Sequence, residues 1–135
     1  MTQAANSNNQ PFILSLDVGT SSTRVLLFDA SGRAISKVRS QHTYQLTTSD
    51  EGEVSVDADM LVGVVARTID EALAAAGPLA SQIGAVATDT FWHSLIGVDA
   101  NGHALMPLIT WEDTRPRRAA TELRSQLDQT KIHAR

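Results

Sequence analysis

Hydrophobic residues near the start of the chain fall into two short runs on either side of a polar loop. Residues 12–16 (FILSL) and 25–28 (VLLF) are apolar, and the segment DVGTSSTR separates them. Short runs of branched and aromatic residues are typical of strands, so the pattern predicts a β-hairpin. Residues 29–32 (DASG) are a further turn signal, and the more polar residues 34–41 predict a third strand near a sheet edge.

The pattern changes to helical spacing after Asp57. Apolar residues recur every three or four positions over residues 61–76, Asp57 is a suitable N-cap, and Gly77 followed by Pro78 predicts the helix end. Residues 82–88 then predict a strand that is buried on both faces. The sequence therefore predicts an α/β fold with three antiparallel strands, a helix–strand crossover and a mixed sheet.

The remaining segments carry weaker signals. Residues 43–54 are polar and predict a loop with one short extended piece. Residues 95–98 and 104–109 predict a second hairpin around a DANG turn, whose residues resemble those of the DASG turn at 29–32. A second helix is expected from Asp113, with Pro116 tolerated in its first turn.

Composition narrows the class of protein. The chain has 135 residues, of which 42% are hydrophobic, and this suits one small domain with a core. Its net charge of −4 argues against a nucleic-acid or anionic-membrane partner, and it has no cysteine. The polar residues 1–10 lack the features of a signal peptide and predict a disordered leader. A soluble cytoplasmic protein is the expectation.

The loop between the first two strands has the residues of a phosphate and metal site. Asp17 is suited to a hydrated Mg²⁺, and Gly19 lets the backbone approach a ligand closely. Four hydroxyl residues follow, and Arg24 lies inside an apolar strand, where a cation is disfavoured unless an anion pairs with it. The alternative is an ordinary hairpin turn, which selects the same polar residues for its own backbone.

A second group of side chains favours a polyhydroxylated ligand. Indole faces cover sugar C–H groups, while imidazole and carboxylates specify hydroxyl directions. The alternatives are a structural histidine, core tryptophans, and an ion pair of Arg115 with Glu112 or Asp113 in place of a bound sugar acid. The group comprises Trp92, His93, Trp111, Glu112, Asp113 and Arg115. The other histidines, His42, His103 and His133, have no metal-ligand spacing and are expected at the surface.

These motifs resemble those of a known family. DVGTSSTRVLLFD resembles the first phosphate motif of the FGGY carbohydrate kinases, and FWHSLIGVDANG followed by PLITWEDTRP resembles their substrate-side segment, closest to gluconokinase-like members. The DxGT element is shared with the wider actin, hexokinase and Hsp70 superfamily. The WHS and TWEDTR segments narrow the resemblance to sugar kinases.

The resemblance implies a fold, a set of roles and two cofactors. Residues 11–135 would form part of the N-terminal domain, with a ribonuclease H-like, actin-like ATPase fold. ATP would be the phosphate donor, and Asp17 would bind Mg²⁺ through water. The phosphates would lie against Gly19, Thr20, Ser21, Ser22 and Arg24, and the sugar would contact Trp92, His93, Trp111, Glu112, Asp113 and Arg115.

One departure limits what the chain is expected to do alone. Family members are several times longer, and their general base, an Asp, would lie beyond Arg135. The expected function is ATP-dependent phosphorylation of a sugar or sugar acid, of gluconate or pentulose type, with this chain as the N-terminal fragment. The partners would be the sugar and either the C-terminal part of the kinase or a dimer partner. The alternatives are a non-catalytic truncated module and an actin-like or Hsp70-like ATPase domain.

Overall fold

The computed structural model describes residues 10–134, which form two compact units. The first unit contains the described residues up to Gln45 together with Asp57–Trp92, and the second contains Leu46–Val56 and the described residues from His93 onward. The predicted leader lies outside the described residues except for Gln10. The strands are β1 (Phe12–Val18), β2 (Ser22–Phe28), β3 (Ala34–Thr43), β4 (Thr47–Thr48), β5 (Val54–Val56), β6 (Ile83–Thr90) and β7 (Leu108–Ile109), and the helices are α1 (Ala58–Ala76), α2 (Arg117–Gln126) and α3 (Gln129–His133).

A four-stranded mixed sheet organises the first unit. Its order is β3-β2-β1-β6, with β1, β2 and β3 antiparallel and β6 parallel to β1. The first hairpin, the edge position of β3 and the crossover are therefore confirmed. Helix α1 packs against β2 and β3, and the core formed by the helix and the strands β1, β2 and β3 consists of Leu14, Val25, Leu27, Val38, Ala72 and Ala76.

Helix α1 begins and ends as its sequence predicts. The carboxylate of Asp57 accepts a hydrogen bond from the Met60 N–H at 2.7 Å, which satisfies one unpaired donor of the first turn. Gly77, at φ 53°, donates its N–H to the Leu73 carbonyl. The helical structure does not end at Pro78, however. Gly77–Gln82 continues as a 3₁₀ helix, and the first turn of a helix tolerates proline.

The predicted burial of the crossover strand is wrong. Strand β6 is exposed along nearly its whole length, and Val86 keeps 60% of its surface accessible. Helix α1 covers β2 and β3, while β6 lies at the edge of the sheet beside β1. Small apolar residues indicated a strand that other elements cover, but no element within residues 10–134 covers it.

Polar contacts also join β3 to α1. Ser40 Oγ donates to Glu71 Oε2 at 2.8 Å, and His42 Nε2 lies 2.8 Å from the same oxygen. His42 therefore lies in a strand, is partly buried and contacts a carboxylate, so the expectation of a solvated surface histidine is wrong there. His103 and His133 are exposed as expected.

The second unit is built from shorter elements than the sequence suggested. Strands β4, β5 and β7 form a three-stranded sheet, and the predicted second hairpin is reduced to two isolated bridges, Leu95 to Ile109 and Val98 to Ala104. Helix α2 begins at Arg117, not at Asp113, and Pro116 stands just before its first residue. The Asp113 carboxylate accepts the N–H of Arg115 ahead of the helix. The DANG turn is confirmed: the Asp99 carboxylate accepts two backbone N–H groups, as that of Asp29 does in the first turn.

Candidate functional site

The hairpin loop brings a carboxylate and a guanidinium together across two strands. Asp17 and Arg24 are register partners in β1 and β2, and Arg24 Nη2 lies 2.8 Å from Asp17 Oδ2. Both side chains remain nearly half exposed, at 43% and 48%. Arg24 thus has an anionic partner within the hairpin, so its presence in an apolar strand does not by itself require a bound phosphate.

The position of this pair nevertheless suits ligand binding. Asp17 stands near the carboxyl end of β1, beside Asp89 near the end of the parallel strand β6, and ligands of open α/β sheets bind outside such ends. The neighbouring Gly19 N–H donates to the Ser22 carbonyl at 2.9 Å, which closes the loop tightly. The arrangement can present backbone donors, hydroxyls and one carboxylate to a phosphate group.

The loop offers three accessible hydroxyls, not four. Thr20 and Ser22 are half-buried and Ser21 is exposed, whereas Thr23 is fully buried. The Thr23 Oγ1 faces the core and has no hydrogen-bond partner in the described residues. Strand alternation explains the difference, because Thr23 shares its face of β2 with Val25.

Sequence reasoning missed two residues that contact this loop. Tyr44 donates its hydroxyl to the Gly19 carbonyl, and Gln41 donates its side-chain amide to Ser22 Oγ at 3.1 Å. Burial raises the pKa of the Tyr44 phenol, and the Asp17 charge raises it further. Their signal was absent because the end of a polar strand gives no periodicity that marks a contact with a distant loop.

Trp92 and His93 lie just beyond strand β6, after Phe91. Trp92 is 74% exposed and therefore is not a core residue, and His93 has a left-handed backbone at φ 59°. Residues other than glycine adopt this region rarely, and such conformations concentrate at functional sites. This conformation makes His93 a candidate for a functional role.

In the second unit, Asp113 is held by several donors at once. Its carboxylate accepts hydrogen bonds from the Val54 N–H at 3.2 Å and from Arg115 Nη2 at 2.6 Å, and its side chain is only 2% exposed. Arg115 also lies 3.6 Å from Glu53. The ion-pair interpretation of Arg115 is therefore confirmed with Asp113, while Glu53 takes the place expected of Glu112.

These contacts depress the pKa of Asp113 to about 2. The side-chain hydrogen bond from Arg115 contributes most, followed among the lowering effects by the backbone N–H groups of Arg115 and Val54. Since the folded pKa lies below the ordinary value of 3.8, this carboxylate stabilises the folded unit above about pH 4 and loses that contribution as pH falls through about 2.

An acid titration is expected to reveal this coupling. Followed by its carboxyl ¹³C shift, Asp113 should titrate near pH 2, and Arg115→Gln should move its midpoint toward the ordinary value because the main donor is lost. Arg118→Gln, which removes an exposed pair with Glu122, is the matched control and should leave the midpoint unchanged. A midpoint for Asp113 near 4 in the unsubstituted chain would contradict the assignment.

Gly52 holds the Asp113 segment against β5, and the sequence did not mark it. Its carbonyl accepts the Thr114 N–H at 2.9 Å, its φ is 91°, and a Cβ at this position would collide with the Thr114 side chain. Trp111 is 57% exposed and Glu112 is exposed. The second unit thus presents Trp111 and Glu112 to solvent, while Asp113 and Arg115 form an ion pair with each other.

Comparisons with known proteins decide the family. The profile of the FGGY family of carbohydrate kinases, N-terminal domain, matches residues 12–135. The chain belongs to the FGGY family of carbohydrate kinases. Among its FGGY relatives are a xylulose kinase of Streptomyces coelicolor, 30% identical over 92% of this chain and 24% of that protein, and a gluconokinase of Bacillus subtilis, 27% identical over 92% of this chain and 23% of that protein.

Solved structures of FGGY kinases share the fold. The xylulose kinase from Rhodospirillum rubrum superposes with a TM-score of 0.82 at 22% identity, over 92% of this chain and 25% of that one. The predicted actin-like ATPase fold with a mixed sheet is thereby confirmed. The chain spans about a quarter of the length of the FGGY relatives that it matches.

The residues of the hairpin loop between β1 and β2 are compatible with a Mg²⁺ ion bound largely through water and phosphate. Residues 10–134 contain no group of three or more His, Asp or Glu side chains that could hold a metal. Mg²⁺ usually keeps several waters and needs only one or two carboxylates beside the substrate phosphates. Asp17, partly exposed and next to the loop, meets that requirement.

None of the helices within residues 10–134 has the length and apolar character that a membrane span requires.

Proposed function

We propose that this chain supplies the phosphate loop and part of the sugar-binding wall of an FGGY kinase that transfers the γ-phosphate of ATP to a sugar or sugar acid. Gluconate is the preferred substrate and a pentulose the second. The observation that carries the proposal is the Asp17 carboxylate beside the partly exposed loop at the carboxyl end of β1, where phosphates bind in folds of this class. The reaction is proposed for the cytoplasm, with no nucleic-acid or membrane partner.

Each residue of the loop has a proposed role in positioning ATP. Backbone N–H groups and hydroxyls of Gly19, Thr20, Ser21 and Ser22 bind phosphate oxygens, and Arg24 stabilises the charge that develops on the transferred group. Asp17 would hold a Mg²⁺ ion through its waters, and the ion would neutralise phosphate charge. Asp17 also keeps Arg24 oriented through their ion pair.

Four exposed or strained side chains are proposed to contact the sugar. Trp92 and Trp111 offer indole faces, His93 offers an imidazole on a strained backbone, and Glu112 offers an exposed carboxylate. Asp113 is proposed to contribute by holding neighbouring residues in place, since its oxygens already accept several hydrogen bonds. With Arg115, it would shape the wall that carries its neighbours. The general base would come from a segment beyond this chain.

A chimera tests the proposal directly. Residues 12–135 replace the matching segment of the Bacillus subtilis gluconokinase, and ADP release is measured with ATP, Mg²⁺ and either gluconate or xylulose. Gluconate-dependent ADP release is expected, and the gluconokinase lacking the segment serves as the inactive control.

Other outcomes of the assay discriminate between the alternatives. A chimera that melts cooperatively but is inactive with both substrates would contradict the kinase proposal and favour a non-catalytic module. ADP release that needs no sugar would instead favour an actin-like or Hsp70-like ATPase. Activity with xylulose alone would change the substrate and keep the reaction.

A further inference from the structure

The segment at the end of β3 reaches the phosphate loop through three hydrogen bonds. The Tyr44 N–H donates to the Ser21 carbonyl at 3.1 Å, and the Tyr44 hydroxyl donates to the Gly19 carbonyl. The Gln41 side-chain amide donates to Ser22 Oγ at 3.1 Å. The conformation of the loop is therefore controlled by a segment about twenty residues further along the chain, and not only by its own hairpin.

The two backbone carbonyls bound by Tyr44 determine where two loop N–H groups point. In a planar trans peptide the C=O of one residue and the N–H of the next point in opposite directions. Fixing the Gly19 carbonyl toward Tyr44 thus directs the Thr20 N–H away from it, and fixing the Ser21 carbonyl does the same for the Ser22 N–H.

This constraint acts at the residue that needs it most. Glycine has the widest range of backbone conformations, so an unrestrained Gly19 peptide would populate several orientations. Donors that bind a phosphate are effective when they are already oriented before the ligand arrives. The raised pKa of the Tyr44 phenol keeps it protonated and able to donate throughout the neutral range.

We propose that Tyr44 is a positioning residue for the phosphate loop: it holds the Gly19 and Ser21 carbonyls so that the Thr20 and Ser22 N–H groups are presented together to phosphate oxygens. The effect on phosphate binding rests on the proposed function, whereas the orientation of the two carbonyls rests on the hydrogen bonds alone. Tyr44 itself does not touch the phosphate in this proposal.

Amide hydrogen exchange tests the structural part. In Tyr44→Phe the ring and the backbone N–H remain and only the hydroxyl is lost, so the Gly19 N–H, which closes the loop onto Ser22, should exchange up to about tenfold faster. The Gly32 N–H, which closes the Asp29 turn in the same unit, is the internal control and should be unaffected. Unchanged exchange at Gly19, or equal acceleration at Gly32, would overturn the inference.

Phosphate binding tests the positioning role. Magnesium tripolyphosphate carries a chain of phosphates without adenosine, and its dissociation constant is measured by NMR titration of the loop amides. Tyr44→Phe should weaken binding severalfold. Ser40→Ala, which removes a hydrogen bond from β3 to Glu71, is the matched control for general loss of stability and should not weaken binding.

The outcomes separate the two proposals. Wild-type binding that Tyr44→Phe leaves unchanged would overturn the positioning role alone. Absence of wild-type binding would contradict the proposed phosphate loop, and with it any role of Tyr44 in ligand binding. Equal weakening in Tyr44→Phe and Ser40→Ala would reduce Tyr44 to a stabilising residue and also overturn the inference.

Discussion

Incubated with ATP, Mg²⁺ and a panel of sugars and sugar acids, the purified 135-residue chain is expected to release no ADP above background. Phosphoryl transfer requires nucleotide, metal and acceptor to be held together in a closed site, and the chain spans about a quarter of its relatives. A coupled ADP-release assay measures the effect, with the gluconokinase chimera as the positive control.

The carboxylates of the proposed sugar-binding group are poor candidates for the general base. Asp113 has a pKa of about 2 and is hydrogen-bonded to Arg115 and Val54, so it accepts a proton weakly at neutral pH. Glu112 is its only close neighbour in sequence with the same chemistry. Sugar-dependent ADP release that disappears in Asp113→Asn would show that this reasoning is wrong and that the chain is a compact kinase.

In the active chimera, Asp17→Asn is expected to lower turnover by roughly 10²- to 10³-fold while changing the KM for the sugar little. The estimate is of the size seen when one group that stabilises transition-state charge is removed. The substitution removes the proposed ligand of the hydrated metal and the partner of Arg24. Steady-state kinetics with gluconate and ATP varied separately measures the change.

Folding effects have to be separated from catalytic ones. The Asp17–Arg24 pair is nearly half exposed, and exposed pairs contribute about 0–1 kcal/mol, so Asp17→Asn should barely alter the melting temperature. Asp59→Asn, in the exposed first turn of α1, is the matched control and should retain full turnover. Turnover unchanged in Asp17→Asn would remove Asp17 from the phosphate site.

The first unit was predictable because its signals are local. The apolar runs of β1 and β2, the Asp57 cap and the Gly77 terminus each act within a few residues. The exposure of β6 was not predictable, since a run of small apolar residues is compatible with a covered strand but does not show which element would cover it. Exposure along β6 therefore overturned the expectation while its pairing with β1 confirmed the topology.

The second unit was harder to predict because its contacts are distant in sequence. The sequence predicts Asp113 as a helix start, but its carboxylate also accepts the N–H of Val54, 59 positions earlier. Gly52 is needed because of its close contact with Thr114, which the sequence does not reveal. The residue types of the proposed site were recognisable from the WHS and TWEDTR motifs. The Asp113–Arg115 pair is local and was among the alternatives, whereas the contacts of Asp113 with Val54 and of Arg115 with Glu53 are long-range and gave no signal in the sequence.

Tyr44 is the only tyrosine in the chain, whereas two tryptophans are present and do not ionise. The ultraviolet difference spectrum of phenolate formation therefore comes from a single side chain, and that side chain touches Gly19 and senses the Asp17 charge. The protein thus contains a natural optical probe beside its loop. Changes in the charge or conformation of the loop can be followed in unlabelled protein, at ordinary concentrations, from the absorbance of one residue.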